Sequence, residues 1–187
     1  MRGKKIIVGV SGGIAAYKAA ELVRLLMKRE VYTQVAMTPN ATRFVTPFTF
    51  EALSGNRVIW DMFNQEGPGM EHITWGQESD LIIIAPATAN FIAKMAHGIG
   101  DDFLSTMVLA ATASVLVCPS MNSRMFMHPA VQDNLRLLRD RGVTVMEPGE
   151  GQLACRTAPL RRLFGRSSRN RAPSRQGDFR GASRGEE

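Results

Sequence analysis

Two apolar runs in this chain each empty into a stretch of small and polar residues. Asp80-Leu81-Ile82-Ile83-Ile84 leads into Ala85-Pro86-Ala87-Thr88-Ala89-Asn90-Phe91-Ile92-Ala93-Lys94, and Ser114-Val115-Leu116-Val117-Cys118 leads into Pro119-Ser120-Met121-Asn122-Ser123-Arg124-Met125. Continuous apolar, β-branched runs without alternation read as strands buried on both faces, the pattern of a parallel sheet. Ligands of open α/β sheets bind in the crevice beyond the carboxyl ends of the strands. Both runs put small residues and a side-chain amide, Asn90 or Asn122, at that edge. Such an edge suits a flat, phosphorylated cofactor and a polar substrate better than a packed core.

The rest of the chain alternates strand and helix signals. Lys4–Val10 reads as a first buried strand, closed by Ser11-Gly12-Gly13. Ile14, Ala15, Ala19, Leu22, Val23 and Leu26 share one helical face, which predicts a helix from Ile14 to Lys28. Val31–Met37 is a second strand. Asn40 or Thr42 can cap a helix running toward Ser54, with Gly55 at its end and a break or kink at Pro47. The segment around His72 reads as a polar connection. Helices are expected over Thr88–Ala96 and Asp101–Thr112, a strand over Ser114–Cys118, a helix from Pro129 to Gly142 and a last strand over Val143–Met146. This order predicts an α/β fold with a mostly parallel sheet and helices on both faces.

The 187 residues suffice for one domain with a sizeable core. The formal net charge of +6 lies in the tail: residues 156–187 carry nine Arg against Asp178, Glu186 and Glu187, while residues 1–155 are balanced. The body therefore gives no reason to expect a nucleic-acid partner. The tail is rich in Arg, Ser, Gly and Pro and poor in apolar groups, so it is expected to be disordered; an arginine-rich RNA-binding segment is the sharper alternative. Cys118 and Cys155 form no CxxC pair, and no metal site is expected. No stretch is long and apolar enough for a leader or a membrane span, which makes the expected location cytoplasmic.

Several residues can carry chemistry. Gly12 and Gly13, between a strand and a helix, let the backbone approach a phosphate at the helix N-terminus; a ligand-free tight turn fits the same residues. Thr38 follows the second strand and lies beside that turn, where its hydroxyl can hold the same phosphate or begin an ordinary helix cap. His72 fits an acid, a base or an anion binder, and equally an exposed loop histidine. Asn122 can donate to a carboxylate or a flavin ring, or cap the following helix. Cys118 reads as core, whereas Cys155 lies in a glycine-rich stretch without periodicity, where a thiol can give up a proton or stand idle. His97, before Gly98, suits a helix C-terminus.

Taken in order, Ser11–Lys18 (SGGIAAYK), Met37–Ala41 (MTPNA), His72-Ile73, Ala85–Lys94 (APATANFIAK), His97–Thr106 (HGIGDDFLST), PSMNSRMF from Pro119 and the GxLACR run around Cys155 resemble the homo-oligomeric flavin-containing cysteine decarboxylases. The resemblance covers residues 1–156, a single flavoprotein domain followed by the 157–187 tail. It implies a Rossmann-like, three-layer domain binding FMN. Gly12, Gly13, Ile14 and Thr38 then lie near the phosphate, and Thr88, Ala89, Asn90 and Phe91 line the flavin. It further implies that His72 is the active-site histidine, that Asn122 holds the substrate carboxylate with Met125 beside it, and that Cys155 donates a proton from a flap. The implied assembly is a trimer, or an assembly of trimers, with flavin at a subunit interface.

Within the family, the His72, Asn122 and Cys155 set points to 4′-phosphopantothenoylcysteine as substrate and 4′-phosphopantetheine as product, a step of coenzyme A biosynthesis. A separate phosphopantothenate–cysteine ligase is then implied. The implied chemistry is oxidation of the substrate CH₂–SH to a thioaldehyde, loss of CO₂ to an enethiolate, and return of hydride and proton. Rival readings are a peptidyl-cysteine decarboxylase, a flavin prenyltransferase or a non-catalytic flavin-binding relative. Two departures from the family pattern stand out. Arg29-Glu30-Val31-Tyr32 lacks the glycine that usually ends the first helix, and after Arg156 the basic tail replaces the glycine-rich flap, as in a truncated or out-of-frame reading that impairs turnover.

Overall fold

The computed structural model of the protein describes residues 2–63 and 70–147. The expectations for Cys155, for the domain boundary at 156 and for the tail lie outside these residues. Six strands form one sheet: β1 (Lys5–Val10), β2 (Tyr32–Met37), β3 (Val58–Ile59), β4 (Leu81–Ala87), β5 (Ser114–Pro119) and β6 (Thr144–Val145). Their spatial order is β3-β2-β1-β4-β5-β6, and every pairing is parallel. The order reverses between β1 and β4, so a crevice opens at their carboxyl ends.

The helices are α1 (Ala16–Met27), α2 (Pro47–Ser54), α3 (Glu71–Glu78), α4 (Ala89–His97), α5 (Phe103–Leu109), α6 (Ser123–Phe126) and α7 (Pro129–Asp140). Alternate strand residues feed two apolar cores. Ile6, Val8, Val35, Leu81, Ile83 and Leu116 pack with Leu22, Val23, Leu26 and Phe50 of α1 and α2. On the other face, Ile7, Ala36, Ile82, Ile84 and Val117 pack with side chains of α3, α4, α5 and α7. There, the ring of Trp75 meets Phe103 edge to face at 5.7 Å between centroids, joining α3 to α5. The result is three layers, with β4 wholly buried and β1 buried from Ile6 to Val10, as their apolar runs require.

Where the chain departs from the sequence reading, local chemistry explains it. Ile14 is not core: it precedes α1 in the glycine turn and is 77% exposed. The helix begins two residues later than its apolar period, at Ala16, because the turn through Gly12 and Gly13 extends to Ala15. Pro47 does not kink a longer helix but opens α2, where its missing N–H costs nothing, after a short 3₁₀ turn over Ala41–Arg43. Gly55 closes α2 in the left-handed region, as expected. β3 and α6 are short elements without a periodic signal, and α3 replaces the polar connection expected around His72. Asp80 anchors the entry to β4. Burial opposes its charge, but hydrogen bonds from Lys4 Nζ at 2.7 Å and the Lys5 backbone N–H at 2.8 Å outweigh that and hold its carboxyl below the usual carboxylate range.

Candidate functional site

Four strand ends converge on one cavity of about 450 Å³ at the carboxyl edge of the sheet, a size typical of small-molecule sites. The segment after β1 supplies Ser11 and Gly12; that after β2 supplies Thr38, Pro39 and Asn40; α4, following β4, supplies Asn90, Phe91 and Lys94. Met125 of α6 closes one side.

The β1 and β4 segments are tied together by Ser11. Its buried hydroxyl donates to the Pro86 carbonyl at 2.7 Å and accepts the Thr88 backbone N–H at 2.9 Å. Thr88 in turn caps α4, accepting the Phe91 N–H. The β1 and β2 segments touch at Gly12. A Cβ there would sit 2.6 Å from Asn40 Cβ and 2.9 Å from the Asn40 carbonyl carbon, so only glycine lets the two loops close. At the same junction Thr38 is buried, and its hydroxyl finds no hydrogen-bond partner among the described residues. A buried, unpaired hydroxyl costs free energy unless a ligand satisfies it. Bare backbone at Gly12 beside that hydroxyl makes one end of the cavity fit for an anionic group.

Part of the lining is charged. Lys94 Nζ donates to Asp101 Oδ1 at 2.6 Å and to Asp102 Oδ2 at 3.1 Å. Burial works against the Lys94 charge, but these bonds outweigh it and raise its pKa above the ordinary lysine value. The bond from Lys94 holds the Asp101 carboxyl below the usual carboxylate range, against a smaller desolvation effect. Asp102 also caps α5 in a reciprocal box with Ser105.

Of the residues expected at the site, Gly12, Thr38, Thr88, Ala89, Asn90, Phe91 and Met125 line this cavity. Gly13 lies beside it, where an added Cβ would come 3.2 Å from Thr88 Cγ2. Ile14, His72 and Asn122 are not among the lining residues. Ile14 points to solvent, and His72 is half-buried in the first turn of α3. Asn122 is exposed and caps α6, its Oδ1 accepting the Arg124 N–H at 2.9 Å. Sequence reasoning gave Asn40 only a helix-capping role, and gave Ser11, Lys94, Asp101 and Asp102 none in the site. The signal for Lys94 was present in its spacing of four from Asn90, which puts both on one face of α4. Among the described residues, no group of side chains is arranged to hold a metal ion, and no helix is long and apolar enough to cross a membrane.

A parallel sheet in this order, with a glycine turn and an anion-accepting cavity at its switch point, defines a Rossmann-like binding protein for a phosphorylated cofactor. Residues 1–162 match the model of the Flavoprotein family, and the chain belongs to that family. It is 47% identical over 156 residues to the coenzyme A biosynthesis bifunctional protein CoaBC of Bacillus subtilis (strain 168), covering 83% of this chain and 38% of that protein. With the protein of the same name from Mycobacterium tuberculosis (strain CDC 1551 / Oshkosh), it shares 47% identity over 150 residues, 80% of this chain and 36% of the relative. The chain thus spans under two fifths of the length of these relatives. Among solved structures it resembles the FMN-dependent cysteine decarboxylase SpaF, with TM-score 0.76 and 36% identity over 80% of this chain and 86% of the other. It also resembles a PPC decarboxylase mutant complexed with pantothenoylaminoethenethiol, with TM-score 0.69 and 25% identity over 82% and 87% of the two chains.

Proposed function

We propose that this chain is an FMN-dependent decarboxylase that converts 4′-phosphopantothenoylcysteine to 4′-phosphopantetheine in coenzyme A biosynthesis. The observation that carries the reading is the cavity at the switch point, whose lining holds both the unpaired Thr38 hydroxyl and the bare backbone of Gly12. Similarity to CoaBC proteins supports the choice of substrate. Likeness to SpaF and to other cysteine decarboxylases supports FMN.

In this reading Gly12, Gly13 and Thr38 hold the phosphate, and Thr88, Ala89, Asn90 and Phe91 line the ring. Flavin held there would supply the two-electron sink that a decarboxylation next to a CH₂–SH group requires. Asn122 orients the substrate carboxylate, Met125 packs beside it, His72 serves the reacting end, and Cys155 returns the proton. His72 and Asn122 lie off the cavity of a single chain, which suits a site completed between subunits of a homotrimer. The Nδ2 of Asn122 is the group that would meet the carboxylate, because its oxygen is committed to capping α6. The enzyme would act in the cytoplasm and take its substrate from a separate phosphopantothenate–cysteine ligase.

The test is an absorption spectrum of the purified protein loaded with FMN, followed by mass analysis of products from 4′-phosphopantothenoylcysteine and, in parallel, from a cysteine-terminated peptide. Flavin bands and loss of CO₂ from the pantothenate substrate alone are expected. His72→Asn should keep the flavin bands and lose at least about a hundredfold in turnover, the scale of a positioned catalytic group. A protein that stays colourless with added FMN, or that acts only on the peptide, would overturn the proposal.

A further inference from the structure

The cavity lined by Gly12 and Thr38 also carries two carboxylates in its wall. Among the described lining residues, Lys94 is the only cation, and Asp101 and Asp102 are the only acids. The formal charge of the wall is therefore −1 with Lys94 and would be −2 without it. The Lys94 side chain is only 17% exposed and reaches both carboxylates, one of them, Asp102, itself nearly buried. It also spans two elements: Lys94 lies on α4, one turn after the Asn90 that lines the cavity, while Asp102 is the cap of α5. One ammonium group thus fixes the wall and halves its negative charge.

We propose that Lys94 is a positioning residue that selects for phosphorylated flavin, by neutralising the Asp101 and Asp102 carboxylates on the cavity wall while tying α4 to the head of α5. The inference rests on the flavin reading above. Its physical basis is Coulombic. A dianionic phosphate entering a partly enclosed cavity feels each uncompensated carboxylate more strongly than it would in open water. Removing the lysine therefore penalises a ligand with a phosphate and spares one without. A role in shape alone would penalise both equally.

Flavin fluorescence quenching measures this on the intact chain with two probes, FMN and riboflavin, which share ring and ribityl chain and differ in the phosphate. Lys94→Gln is expected to lower the ratio of FMN to riboflavin affinity by roughly threefold to tenfold at low salt, with the effect fading as ionic strength rises. Asp101→Asn changes a half-exposed side chain and leaves the Asp102 cap intact. It should move the same ratio the other way by roughly threefold, so the idea remains testable even where the lysine variant folds badly. Equal losses for both flavins in Lys94→Gln, together with an unmoved ratio in Asp101→Asn, would overturn the role of Lys94 and leave flavin binding standing. Failure of the unaltered protein to bind either flavin would overturn the flavin reading and this inference with it.

Discussion

Thr38 is a residue of the cavity lining at which the protein's own hydrogen bonding stops short. The chain brings it from the end of β2 into a buried position beside Gly12 and leaves its hydroxyl without a partner among the described residues. Gln34 Oε1 and Ser79 Oγ are likewise buried without a partner, but of the three only Thr38 lines the cavity, where a ligand can satisfy it. Thr38→Val keeps the shape and removes the hydroxyl. Thermal unfolding of the ligand-free variant should show unchanged or slightly raised stability, because an unpaired buried group is lost. FMN titration should show affinity falling by roughly tenfold or more, the scale of a hydrogen bond to a charged group. A stability loss with unaltered FMN affinity would place the hydroxyl in the fold rather than the site. The identity of the residue was legible in the sequence from its place after a strand. Its lack of a partner was not, because that depends on β1, β2 and β4 meeting at one edge.

Element boundaries show how far periodicity carries. The long, evenly apolar strands β1, β4 and β5 and the amphipathic helices α1, α4 and α7 are where the pattern puts them, within a few residues. α3 was invisible because eight residues with few apolar positions carry little periodic signal, and it is packing of Trp75 against Phe103 that makes it worth forming. The missing glycine after α1 has a visible consequence. Among the described residues, Glu30 is the one non-glycine with positive φ, at 56°, in the turn that sends the chain into β2. A side chain in this region is strained, and its exposed ion pair with Arg2 offsets little of that. Glu30→Gly should therefore stabilise the protein by about 0.5 kcal/mol after the greater flexibility of the unfolded glycine chain is counted. Denaturant unfolding checks this, and a destabilised variant would show that the Arg2 pair or the chain entropy dominates.

For the whole molecule, the exposed apolar side chains matter most. Ile14, Phe48 and Phe63 are 77, 75 and 91% exposed, and a neighbouring subunit that covered them would remove that apolar surface from water. The proposed homotrimer would cover them and bring His72 and Asn122 of one subunit toward the cavity of another. Sedimentation at micromolar concentration should give three chains or a multiple of three. A single-chain mass would remove the shared-site reading. The family resemblance supplied Thr88, Ala89, Phe91 and Met125 of the cavity's lining. By itself, the sequence determined the parallel α/β class and put Gly12, Thr38 and Asn90 at the carboxyl edge of the sheet. These follow from chemistry that each short segment carries: β-branched runs, glycines at turns, caps before helices. Tertiary structure alone decided that Lys94 faces two carboxylates, that Thr38 lacks a partner and that Ile14 turns outward. The partnerless state of Thr38 depends on distant strands meeting at one sheet edge. The reach of Lys94 depends on how the turn between α4 and α5 folds back, and the exposure of Ile14 depends on where the glycine turn gives way to α1; apolar periodicity records none of these.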